Sequence, residues 1–368
     1  MINKDRMLET FMEYVKIDSE TGNEKKVGER LIKDLQDLGF ETYMDNAGKA
    51  LNSNGNNVYC FIPGTNEKES MLFSAHMDTV TPGNGIEPYI DGEYIKSKGD
   101  TILGGDDKSG VVAIIEALRV IKENNIPHRP IEIVFSICEE GGINGVKHVE
   151  FPKLKSKTGV VLDSGGGPNH IITEAPGQTK IYAKVIGKAS HAGASPEKGV
   201  SAIIAASEAV TNMKLLRIDQ ETTANIGTFK AEGATNIVSP LVEIIAEARS
   251  RSNEKLKEQT GHMVKCLKDS CEKHGAKLEY KIENTYYSYQ LDPEDEHIQL
   301  ISTICEDFGL EVVKLPSGGG SDANVYNLNG IKAVVIGCGM EQAHTTDERL
   351  NIEEFINASQ VVLRLMTE

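Results

Sequence analysis

The chain of 368 residues contains no tryptophan, and only 5% of it is aromatic. Its net charge is −16, and no block of lysine and arginine is long enough to follow a phosphate backbone. Nucleic acid and anionic membranes are therefore excluded as expected partners. A cationic or metal-bearing site suits the acidity better, although most of that charge simply keeps the surface soluble. The six cysteines (Cys60, Cys138, Cys266, Cys271, Cys305, Cys338) form no CxxC pair and no dense framework. That pattern excludes a disulfide scaffold and a thiolate zinc site and leaves reduced, small apolar residues. The opening stretch MINKDRMLETFMEY scatters its charges and lacks the apolar core of roughly 7–15 residues that a secretory signal needs. It also lacks the length of apolar sequence that crosses a bilayer, so the expected location is the cytoplasm. The phosphate-loop pattern GxxxxGK[ST], internal repeats and low-complexity tracts are all absent.

What is present is the composition of a soluble globular protein, 39% apolar and 26% charged, long enough for two domains. The first half alternates helical spacing with short apolar runs. Helices are expected over 5–16, 23–38 and 108–122, and strands in NVYCFIPG, SMLFSAHMD, 131–137 and 159–162. This is the rhythm of an α/β domain whose mostly parallel sheet is flanked by helices. Near Thr179 the pattern becomes strand, helix, strand, strand, helix, strand, which reads as an α+β domain inserted over residues 179–286. The host domain is then 1–178 and 287–368.

Five segments place a histidine or carboxylate at the end of an expected element: AHMDTV (His76, Asp78), LGGDDKSG (Asp106, Asp107), CEEGG (Glu139, Glu140), VLDSGGG (Asp163) and AHTTDE (His344). Singly each has a plain alternative, and Asp107 in particular could be a helix cap. Together they can converge, because open α/β sheets bind ligands beyond the carboxyl ends of their strands. Two imidazoles with three or more carboxylates form a nitrogen and oxygen donor set suited to zinc and acceptable to cobalt or manganese. Two divalent ions would be neutralised by three carboxylates and one hydroxide, leaving a fourth carboxylate for proton transfer. The residues alone do not say which of Glu139 and Glu140 is the ligand, since neighbours on a regular strand point to opposite faces.

In HMDTV, LGGDDKSG and the Glu-Glu pair, in this order and spacing, the chain resembles the M20 metallopeptidases and, within them, the peptidase T group of aminotripeptidases. The resemblance covers essentially the whole chain. It implies two divalent metal ions, with His76 and Glu140 on one, Asp163 and His344 on the other, and Asp106 bridging. It implies further that Asp78 orients the His76 ring, that Glu139 is the general base, and that the Asp106-Asp107 peptide is cis. The inserted domain would be a lid and dimerisation domain, making a homodimer in which His191 of GKASHAGASP polarises the scissile carbonyl in the neighbouring subunit's site. Asn236 and Arg249 would grip a short peptide substrate, Arg249 through its carboxylate, although a salt bridge would explain that arginine as well. Ser321 and Asp322, in the Gly-rich LPSGGGSDANVY, would line the substrate cleft.

The expected activity is hydrolysis of the N-terminal bond of tripeptides or other short peptides. The rivals are a carboxypeptidase or N-acyl-amino-acid amidohydrolase on the same metals and, from a different class, a non-catalytic metal-dependent peptide-binding protein. Retention of Glu139 beyond the carboxylates that neutrality requires argues against the last.

Overall fold

The computed structural model describes residues 1–368, which form two compact units. The first comprises 1–174, 290–317 and 321–368, and the second 175–289 with 318–320.

The first unit is built on a large mixed sheet whose centre is parallel, in the order Ile131–Ser136, Met71–His76, Thr158–Gly165, Lys332–Glu341. Residues 131–136 and 71–76 are buried throughout, as expected of strands covered on both faces. Val58–Ile62 adds antiparallel to one side of this centre. On the other side come the short strands Arg349–Asn351, Tyr94–Ser97 and Pro88–Asp91. The helix Gly105–Asn124 packs on the sheet so closely that a Cβ on Gly110 would lie 2.7 Å from the Leu162 carbonyl oxygen. Glycine is what allows that approach. The fold is therefore the α/β architecture expected, and all six cysteines are free and buried.

The second unit is an antiparallel sheet in the order Leu216–Arg217, Thr222–Lys230, Leu241–Ser250, Gly177–Ile186, Lys277–Tyr286. Alternate residues of the central strands, Ile181, Ala183, Val185, Val242, Ile244 and Ala246, pack with the helices Ala202–Asn212 and Asn253–His274 into one core. No helix of the chain is long and apolar enough to cross a membrane.

Candidate metal and catalytic site

The three central strands deliver their ends to one place. His76 is the last residue of its strand, 1% exposed, and its Nδ1 lies 3.0 Å from the Asp78 main-chain oxygen. A carbonyl only accepts, so Nδ1 carries the proton and the Nε2 lone pair is free to bind a cation. Nε2 is 2.9 Å from Asp106 Oδ1 and 3.8 Å from Asp163 Oδ1. His344, at φ +66° beyond the strand Lys332–Glu341, places Nε2 3.3 Å from Asp106 Oδ2 and 3.0 Å from Glu140 Oε2. Asp106 thus stands between two pairs, His76 with Asp163 and Glu140 with His344. The resemblance implied His76 with Glu140 and Asp163 with His344, and ligand atoms of His76, Asp106 and Glu140 also lie within 4.8 Å of one another. The two oxygens of Asp106 face one imidazole each.

Asp78 faces the Nδ1 side of the His76 ring. Its main-chain oxygen orients the imidazole, while its carboxylate, 3.6 Å from Nδ1, accepts from Glu139 N at 2.9 Å, Glu140 N at 3.2 Å and Thr21 Oγ1 at 2.7 Å. Burial would raise this carboxyl, but His76, Thr21 and the Glu139 N–H outweigh it and hold it below its usual range. The Glu-Glu pair lies in a turn beyond the strand end at Ser136, entered through Cys138 at φ +53°. Opposite-face alternation therefore does not apply to it, and both side chains can serve one site. The Asp106-Asp107 peptide is cis. Asp107 accepts from Gly110 N at 3.1 Å as a cap, and from His76 N at 3.2 Å.

Burial pushes Glu139 well above its usual value, reinforced by the charges of Asp322 and Glu140. Asp163 is raised by burial and by Asp106, and Glu140 mainly by burial. Conversely His344 is driven up to about 10 by its contacts with Asp106 and Glu140. Asp78, Asp106, Asp107, Glu139, Glu140 and Asp163 surround two imidazoles, and the site lacks positive charge. The Oε1 of Glu140 is sealed from solvent and has no hydrogen-bond partner.

Three residues that sequence reasoning did not single out hold this arrangement. Glu348, 2% exposed, accepts from Leu103 N and Gly104 N at 2.8 Å and from Asp106 N at 3.0 Å. Lys108 is fully buried, donates to Met77 O at 2.6 Å and Ser19 Oγ at 2.7 Å, and is pushed down to about 8 by burial. Glu24 accepts from Gly22 N at 2.8 Å and Cys138 N at 3.1 Å, pinning the turn that carries Glu139. A lysine in the apolar run after Asp107, and the glutamate closing AHTTDE, were the available signals.

Ser321 and Asp322 lie at the start of a short helix. The Ser321 hydroxyl caps the helix Asp322–Leu328 in a reciprocal box with Asn324. Asp322 is 1% exposed and accepts from Ser136 Oγ at 2.5 Å. The cap takes up the Ser321 hydroxyl, while Asp322 Oδ1 is buried without a hydrogen-bond partner.

His191, Asn236 and Arg249 belong to the second unit. His191 bridges to Ile237, and Ala192 N donates to Asn236 O at 2.9 Å, so His191 and Asn236 are neighbours. The His191 Nδ1 accepts from Gly193 N at 3.2 Å and Ala194 N at 3.1 Å, which leaves the proton on Nε2. Arg249 Nε is 2.8 Å from Glu247 Oε1, and Gln178 Nε2 donates to Glu247 Oε2 at 2.7 Å.

Comparison with known proteins shows the family. The model of peptidase family M20/M25/M40 matches residues 72–368. The chain is similar to an aminopeptidase PepT from Bacillus cereus ATCC 10987 (40% identity, TM-score 0.91, 100% of this chain and 98% of that one). It is similar also to a tripeptidase from Staphylococcus aureus subsp. aureus Mu50 (38% identity, TM-score 0.95, 100% and 98%). Among curated sequences, the protein YqjE of Bacillus subtilis (strain 168) is 40% identical, with 100% of this chain and 99% of that protein covered.

Proposed function

The chain belongs to peptidase family M20/M25/M40 and is a peptidase, and on that premise we propose that it is a two-metal aminopeptidase releasing the N-terminal residue of tripeptides or other short peptides. The observation that carries the metal requirement is the donor set itself. Asp106 lies between two histidine and carboxylate pairs, Asp163 and Glu140 are raised first by burial and then by the charge of Asp106, and a ligand oxygen of Glu140 is sealed without a partner. Burying uncompensated carboxylates is costly, and two divalent cations remove the cost. His76 and Asp163 would hold one ion, Glu140 and His344 the other, with Asp106 shared. A nitrogen and oxygen set of this kind suits zinc, with cobalt or manganese as alternatives. Such ions supply Lewis acidity toward the scissile carbonyl and lower the pKa of water.

The protein's own groups do the rest. Glu139 takes the proton of the attacking water and passes it to the leaving amine, from a position fixed by its N–H bond to Asp78. Its raised pKa suits it to hold that proton between the two transfers. His191, with its proton on Nε2, donates to the carbonyl oxygen of the scissile bond. We assign it to the partner's site in a homodimer, with residues 179–286 as lid and dimerisation domain and the rest as the metal-binding domain. Asn236 and Arg249 bind the peptide, Arg249 at its carboxylate. The aminopeptidase and tripeptidase descriptions of the two full-length structural relatives support the substrate class.

Elemental analysis with turnover tests the roles. The wild type should bind two divalent ions per chain; His76→Ala and Asp163→Ala should lose metal and activity together. Glu139→Ala should keep its metal and lose on the order of 10²–10⁴-fold in turnover. Full metal content in Asp163→Ala, or near-normal turnover in Glu139→Ala, would overturn the assignment.

A further inference from the structure

The end of the parallel sheet opposite the metal ligands carries an arginine with no ion pair in the chain. Arg129 precedes the strand Ile131–Ser136 and is only 7% exposed. Its Nε is sealed from solvent with no hydrogen-bond partner, and its guanidinium makes no ion pair. Burial lowers its pKa, and the one neighbouring charge that counteracts this is Glu69, which lies beyond ion-pair distance. Arg129 lines a cavity of about 700 Å³ together with Glu69, Lys157, His297 and Lys332. The first residues of three of the central strands, Met71, Ile131 and Thr158, are at this pole, whereas His76 closes one of the same strands five residues on. At about 3.3 Å per residue the cavity is roughly 16 Å from the metal ligands.

Of the other charged residues lining the cavity, Glu296 makes no ion pair. Lys332 pairs with Asp295, and Glu294 lies 3.7 Å from Lys314. The His297 Nε2 donates to Gly159 O at 2.9 Å, and its pKa is lowered by burial, so the ring is neutral. Lys157 remains with no ion pair at the cavity edge.

A largely buried guanidinium whose Nε is sealed without a partner is a liability in the free protein, and its planar fork matches two oxygens of one oxyanion. We propose that this cavity is a second ligand site, in which Arg129 and Lys157 bind the phosphate or carboxylate group of a small molecule. The site is separate from the metal cluster and does not depend on the peptidase reading.

Thermal unfolding of the metal-loaded chain tests this, in buffer free of oxyanions, with added inorganic phosphate or a tricarboxylate and chloride holding ionic strength constant. The wild-type Tm should rise saturably, by about 2 °C or more at tenfold excess over half-saturation. Arg129→Met should be at least as stable as wild type without the anion and should lose that rise. Glu69→Gln, which removes a repelling charge, should reach half-saturation at a concentration at least about threefold lower. Asp163→Ala, altered at the other end of the sheet, should keep the response and so exclude phosphate bound at the metal cluster. A response to phosphate alone, or to both anions, supports the site and identifies its preference. A response to neither, or an equal one in wild type and Arg129→Met, overturns it. Loss of stability in Glu69→Gln without any tightening also overturns it, because Glu69 would then be the internal partner of Arg129.

Discussion

Glu348→Gln is a change of one atom that should reach the metal site through the main chain. The carboxylate takes three N–H groups, those of Leu103 and Gly104 on one oxygen and that of Asp106 on the other. An amide has one accepting oxygen. Whichever way it turns, at least one N–H meets an NH2 group, so at least one charge-assisted hydrogen bond is lost, worth about 1.5–3 kcal/mol. The residue released is Asp106, whose two carboxylate oxygens face His76 and His344. If that cost falls on metal binding, affinity should drop about 10–100-fold, the range typical for partners of metal ligands. Competition with a chromogenic chelator measures it directly. The variant should also regain most of its kcat when metal is supplied in excess, since Glu139 is anchored elsewhere, by Asp78. Metal affinity within about twofold of wild type would refute the reasoning. So would a fall in kcat at full metal occupancy.

Three further outcomes follow from named contacts. Arg249→Ala and amidation of a tripeptide substrate should each cost on the order of 10–200-fold in kcat/KM, and the two losses should not multiply; equal sensitivity to amidation in wild type and variant would remove Arg249 from carboxylate binding. Mixing His191→Ala with Glu139→Ala protein should regenerate activity once subunit exchange is shown, because a hybrid dimer holds one intact site; exchange without recovery would place His191 in its own subunit's chemistry or in a structural role. Burial lowers the His297 pKa from its ordinary 6.5, so the unfolded chain takes up that proton first as pH falls, and stability present above about pH 6.5 is lost as pH drops through the folded value. Denaturation midpoints between pH 7 and 5 should therefore slope less in His297→Gln, and an unchanged slope would remove His297 as the cause.

Much of the fold was legible because apolar runs of strand length ended in polar residues that had no reason to be there unless they met. His76, Asp163 and the Glu-Glu turn were found that way, and the helix Asn253–His274 by its spacing alone. The edge strands Arg349–Asn351, Tyr94–Ser97 and Pro88–Asp91 were not, since three or four residues carry no readable period. The supports of the site were also hidden. Glu348 and Asp106 are 242 residues apart, and Lys108 reaches back 89 residues to Ser19, so neither contact leaves a local signature. The cap at Ser321 was hidden too, because its partner three residues on is an asparagine rather than the usual glutamate or glutamine.

The most direct test of the central claim is the identity of the first product from a tripeptide of three different residues, such as Leu-Gly-Phe, incubated with metal-loaded protein and sampled before the reaction is complete. Free leucine should appear with Gly-Phe in equal amounts, and N-acetylation of the same peptide should abolish the reaction. Release of phenylalanine with Leu-Gly, or cleavage of the N-acetylated peptide, would contradict the aminopeptidase assignment.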